Sequence, residues 1–124
     1  DAVTIAAVAD DPDLMSLALK RGNRPDNIHT NWNGTALIAA AHLCHPEIVA
    51  ALIAAGAPLD HVNNLGWTAL IEAVVLGDGG ARHQATVEAL VKAGADRSIA
   101  DRNGVTPLEL AEQRDYGEIF ELLE

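Results

Sequence analysis

Asn64-Leu65-Gly66-Trp67-Thr68-Ala69-Leu70 decides how the rest of the chain is read. The pattern returns as Asn103-Gly104-Val105-Thr106-Pro107-Leu108, and it stands earlier, with the glycine displaced, as Asn31-Trp32-Asn33-Gly34-Thr35-Ala36-Leu37. Its threonines, Thr35, Thr68 and Thr106, are 33 and then 38 residues apart. Recurrence at that period marks a solenoid, in which each unit buries its apolar face only by stacking on its neighbours.

The residues after each threonine agree. Thr35 is followed by Ala40-Ala41, Ile48-Val49, Leu52-Ile53 and Gly56-Ala57 with Asp60. Thr68 is followed by Ala73, Val87, Leu90-Val91 and Gly94-Ala95-Asp96, and Thr106 by Leu108, Ala111, Ile119-Phe120 and Leu122-Leu123. These residues resemble the ankyrin repeat, whose pattern is G-x-T-P-L-x-x-A-A, then G-H-x-x-I-V-x-x-L-L-x-x-G-A-D. The resemblance covers nearly the whole chain. It implies an all-α repeat solenoid, each unit a β-turn followed by two antiparallel helices. Ala36 and Ala69 replace the pattern's Pro, and Ile38, Ile71 and Glu109 replace its His. Asp10, Cys44 and Asp115 stand where the glycine between the helices is usual, a position that favours residues tolerant of positive φ.

Residues 1–124 form one domain of four units, approximately 1–30 (partial), 31–63, 64–100 and 101–124. In the first, Val3–Val8 reads as a helix without a leading turn. Asp10-Asp11-Pro12-Asp13 then starts a second helix, and Gly22 ends it. Ala2, Ile5 and Ala6 lack the polar outer face of a capping unit, so the chain reads as part of a longer array with a processed or truncated N-terminus. The second unit has no Lys or Arg between Asn31 and Asn63, as suits a central position. The third carries five extra residues, Asp78-Gly79-Gly80-Ala81-Arg82, between its helices, where the paired glycines are expected to end the first helix and form a projecting turn. In the last, Glu118, Glu121 and Glu124 fall on one helical face and read as the solvated end of the stack.

Hydrophobic residues make up 49% of the chain but aromatics only 3%, so its core is built from Ala, Leu, Ile and Val, which lets helices pack closely. A net charge of −10 argues against nucleic acid and anionic membrane surfaces and permits a protein partner with a basic surface. No apolar run is long enough for membrane insertion. A cytoplasmic or periplasmic location is expected. The one cysteine, Cys44, allows no intrachain disulfide.

Catalysis needs a nucleophile, base or metal with convergent partners, and none is evident, so the chain reads as non-enzymatic and without cofactor. The glycine-rich insertion matches neither phosphate-binding pattern and follows no strand. The alternative to a protein-binding module is a small-ligand or metal site around His42, Cys44 and His45. His45 and His83 align with the histidine of the inter-helix turn, where an imidazole bonds to backbone.

The ankyrin resemblance implies a concave face made of turn tips and first helices. On it fall Asn31, Trp32, Leu65, Trp67 and Arg102 from the turns and His42, Leu43 and Leu76 from the helix ends. Partner binding is expected at Trp32, Asn31, His42, Leu65, Trp67 and Arg102, with the two tryptophans as anchors. A third reading is that these units only extend a longer array whose binding surface lies elsewhere. The chain also resembles a bacterial subgroup of ankyrin-repeat proteins through Gly66-Trp67-Thr68-Ala69-Leu70, Glu72-Ala73-Val74, Leu76-Gly77-Asp78-Gly79-Gly80, His83, Asp101-Arg102 and Gly104-Val105-Thr106-Pro107-Leu108. The insertion is then a feature of that subgroup.

Overall fold

A computed structural model describes residues 1–26 and 34–124. Among the described residues there are eight helices: α1 (Ala2–Ala9), α2 (Pro12–Lys20), α3 (Ala36–His42), α4 (Pro46–Ala54), α5 (Ala69–Leu76), α6 (Ala81–Lys92), α7 (Pro107–Gln113) and α8 (Gly117–Leu123). They pack in consecutive pairs. The first helices α1, α3, α5 and α7 form one row, and the second helices α2, α4, α6 and α8 form a row behind it. This is the all-helical solenoid that the threonine period implies.

Each first helix of the last three units starts at a threonine. Its hydroxyl accepts the N–H three residues on: Ile38 for Thr35, Ile71 for Thr68 and Glu109 for Thr106. Glu109 reaches back to Thr106 and completes a capping box. The turns before α5 and α7 are each held by an Asx side chain. Asn63 Oδ1 accepts the N–H groups of Leu65 (2.9 Å) and Trp67 (3.1 Å), and Asp101 Oδ1 accepts those of Asn103 and Val105 (2.9 Å each).

The core follows the composition. Ala6, Ala7, Ala40, Ala41, Ala69, Ala73 and Ala111 are buried between the rows, and Met15, Leu37, Ile48, Leu52, Leu70, Ile71 and Leu90 fill the space around them. Small residues at the contacts let backbones approach, and the larger aliphatic side chains interdigitate beside them. Glu118, Glu121 and Glu124 are exposed, and at the other end Ile5, Val8 and Leu17 face solvent.

Asp10, Cys44 and Asp115 adopt φ of 54°, 54° and 58°. In each case the next residue's N–H returns to the carbonyl five positions back, as from His45 to Ala40, so the helix ends in a left-handed cap.

The third unit departs from that scheme, and from the expectation that Gly79 and Gly80 end its first helix. α5 stops at Leu76, and Gly77 leaves it in extended conformation. Gly80 is instead the N-cap of α6, a twelve-residue helix that takes in Ala81 and Arg82. The turn does not project freely, because it is bonded to its neighbours on both sides. Tyr116 Oη donates to the Gly77 carbonyl (2.9 Å). Arg82 reaches the Cys44 carbonyl (3.2 Å) and the Asp10 carboxylate (2.8 Å). The Gly79 and Gly80 N–H groups are already taken by His83 Nδ1 and Asp78 Oδ1, each at 2.8 Å, which leaves no open cradle for an anion.

Candidate functional site

The first-helix row and the turn before α5 enclose a groove of about 490 Å³. Val8 comes from α1, Ile38, Ala39 and His42 from α3, Leu43 from the residue after it, Glu72 and Leu76 from α5, and Leu65 and Trp67 from the turn. Its walls are mostly aliphatic. Seven large hydrophobic residues are conspicuously exposed among the described residues, and four of them, Val8, Leu43, Leu65 and Leu76, line this one groove. Scattered exposed leucines need no explanation, but convergence on one concavity marks a surface that something covers.

The groove holds one acidic side chain, and it is buried. Glu72 is 3% exposed. Its Oε1 accepts from Asn63 Nδ2 (2.9 Å), and its Oε2 accepts from His42 Nδ1 (3.1 Å), so the imidazole carries its proton on Nδ1 in this bond. The Glu72 side chain has 4% exposure against 52% for His42, so the carboxylate is fixed and the imidazole is its solvent-facing partner. Asn63 thus does two tasks: its carbonyl oxygen builds the turn that presents Leu65 and Trp67, and its amide donates to the floor of the groove. A buried carboxylate is costly unless its oxygens are bonded, and here each has a donor.

Glu72 stands four residues after Thr68. The same offset from Thr35 and Thr106 gives Ala39 and Leu110. The site is therefore peculiar to the third unit. Sequence reading passed over Glu72 as part of a motif. The available signal was a lone acid within Ala69-Leu70-Ile71-Glu72-Ala73-Val74, whose other members are all buried and apolar.

Of the expected partner-binding residues, the structure brings His42, Leu65 and Trp67 together on this groove. Trp67 is half-buried and packs on the core as well as lining the groove, so it has both a packing and a surface role. Arg102 is not among the lining residues. Its guanidinium donates to the Asn64 carbonyl, and its side chain lies where a Cβ on Gly66 would sit, 2.6 Å from Cγ. Gly66, at φ +80°, is required there both by the turn and by the arginine. Asn31 and Trp32 lie outside the described residues.

The metal or small-ligand cluster of His42, Cys44 and His45 does not form. His42 turns to Glu72, while His45 Nδ1 bonds to the Ala7 carbonyl (2.9 Å), one unit back. Cys44 borders a second depression of about 220 Å³ with His42, Arg82 and Asp78, and His45 is absent from it. Burial, with the nearby Asp78 carboxylate, pushes the Cys44 thiol above its ordinary pKa, against an opposing pull from Arg82. Among the described residues no group of three His, Cys, Asp or Glu side chains converges closely enough to hold a metal. His45 is parted from the other two because i and i+3 neighbours share a face only within one helix, and His42 closes α3 whereas His45 caps α4.

His83 behaves as its alignment implies. It is fully buried, accepts from the Gly79 N–H and meets the Tyr116 ring edge-on at 5.2 Å. Burial pushes its pKa below the usual histidine value, against an opposing pull from the Ala73 carbonyl.

Comparison with known proteins agrees with this fold. The family model for ankyrin repeats (3 copies) matches residues 3–97. The ankyrin repeat protein YahD of Escherichia coli is 40% identical over 121 residues, which are 96% of this chain and 59% of that one. The crystal structure of an ankyrin repeat domain from Acinetobacter baumannii superposes with a TM-score of 0.92 at 44% identity, covering 98% of this chain and 61% of that one. A second ankyrin repeat protein of known structure gives 0.89 at 36% identity, with the same two coverages. The chain thus spans about three fifths of the length of these three relatives.

Proposed function

The chain belongs to the ankyrin-repeat family, and from that premise we propose that it is a non-enzymatic protein-binding module whose partner docks in the groove walled by Val8, Leu43, Leu65, Trp67 and Leu76. The observation that carries the reading is the convergence of four exposed aliphatic side chains and a half-buried tryptophan on one concavity, in a chain whose other large apolar residues are mostly buried. Repeats of this family generally serve protein–protein interaction, and the groove lies on the row of first helices that faces away from the second-helix layer. The partner carries a basic contact surface, in keeping with the net charge of −10. Because the relatives are longer, the partner's footprint on the whole protein is part of the proposal and extends along the same row.

The test is Trp67→Ala. The partner is first identified by photo-crosslinking from a residue at the groove rim, such as Leu65, and affinity is then measured for both proteins. A tryptophan anchor contributes roughly 2 kcal/mol or more at an interface, so binding should weaken by at least about tenfold while far-UV circular dichroism stays unchanged. Equal affinity of the two proteins removes the groove as the binding surface. Loss of helicity in the variant would show that Trp67 is chiefly structural.

A further inference from the structure

Resting on the groove as the docking surface, we infer that it is specific for a lysine side chain of the partner protein, whose ammonium pairs with the Glu72 carboxylate. The chemistry of the groove points to that occupant. An aliphatic channel formed by Ile38, Leu43, Leu65 and Leu76 leads to one carboxylate at its floor, with Trp67 on the wall. A lysine has the matching shape, an apolar four-carbon stem with a compact charge at its end.

The carboxylate is held ready for a cation. Its two hydrogen-bond partners are an amide and an imidazole, and among the described residues no Lys or Arg forms an ion pair with it. Asn63 holds Oε1 and fixes the plane of the group. His42 is half exposed and can swing outward, which opens Oε2 to an incoming ammonium while Asn63 keeps its bond. An arginine is the poorer fit. Its planar fork takes both oxygens of a carboxylate side by side, and Oε1 is already committed within the fold. A purely apolar partner would leave the buried carboxylate covered and without a counter-charge, so the same group that attracts lysine rejects leucine or methionine.

Three capped peptides serve as probes: acetyl-Leu-Lys-Leu-amide, its norleucine analogue of nearly equal length without the charge, and its arginine analogue. Each is titrated into labelled protein while the Trp67 indole N–H and the Asn63 side-chain amide are followed by NMR. The lysine peptide should shift both signals saturably and bind at least about tenfold more tightly than the norleucine peptide, with arginine between them. Glu72→Gln removes the charge, keeps the acceptor toward Asn63 and offers His42 an amide donor that the imidazole accepts in its other tautomer, and it should bring lysine and norleucine to equal affinity. Equal affinity of the two for the unaltered protein, or a lysine preference that survives Glu72→Gln, overturns the proposal while leaving the groove a docking surface. Tighter binding of arginine overturns the choice of lysine. If none of the three peptides moves either signal, both the lysine assignment and the groove reading fail. The wild-type comparison needs no variant to fold.

Discussion

Asp10, Cys44 and Asp115 hold the backbone in the left-handed region, where a Cβ crowds the following carbonyl at a cost of about 1–2 kcal/mol that glycine escapes. The two aspartates soften this cost with short polar side chains. Cys44 has no such device, and its carbonyl, which receives Arg82, is independent of its side chain. Cys44→Gly is therefore expected to raise the stability of the chain by about 0.5–1 kcal/mol, after allowing for glycine's greater freedom in the unfolded state, and to move the urea midpoint upward. A lower midpoint would mean that packing of the half-buried thiol outweighs the strain. The need for positive φ at these positions was legible by aligning the units, because backbone conformation at a helix end is a local matter. The role of Glu72 was not. Whether an acid in a helix points to water or to a groove floor depends on which helices flank it, here α3 and α7, and on a turn nine residues back that supplies Asn63.

At the scale of the element, the connection between α5 and α6 is where the third unit differs most. α5 ends at Gly77 because the buried His83 ring occupies the space a side chain would need: a Cβ there would stand 2.1 Å from the imidazole. The backbone at Gly77 is ordinary extended conformation, so the requirement is steric and not conformational. Gly77→Ala should cost about 1–3 kcal/mol, since the ring is pinned by Gly79 on one side and Tyr116 on the other. Gly117, at the start of α8 with open space beside it, is the matched control, and its change to alanine should leave stability equal or slightly higher. Chemical denaturation of both variants checks the pair, and an unchanged midpoint for Gly77→Ala would show that the His83 ring moves freely. The insertion itself was plain from the spacing of 38 against 33, but the glycine that stops the helix was misplaced by two residues. Glycine composition marks a break. Which glycine makes it was decided by a histidine six residues later and a tyrosine thirty-nine residues later, both brought in by packing.

For the molecule as a whole, each helix pair touches only its neighbours in the two rows, so stability is distributed nearly one-dimensionally along the stack. α3 to α6 have packed partners on both sides, whereas α8 has neighbours on one side and α1 shows Ile5 and Val8 to solvent. Hydrogen exchange on residues 1–124 alone should accordingly find the slowest amides in α3–α6, with protection falling toward α1 and α8, and uniform protection across the described helices would contradict a stack of semi-independent units. Arg82 is the described side chain that links non-adjacent units, spanning from the third to Cys44 in the second and Asp10 in the first. By itself the sequence determined the repeat, the caps and the small-residue core, because these follow from periodicity and from bonds within a few residues; the face that carries Leu65, Trp67 and His42 was implied by the ankyrin resemblance. Only the tertiary structure decided that Val8, Leu43, Leu65 and Leu76 meet in one groove, that His45 parts from His42 and Cys44, that Arg102 is held by a neighbouring turn and that Glu72 forms the floor. Those outcomes depend on side chains from different units arriving at one place, and that is set by how the helices stack rather than by any single repeat.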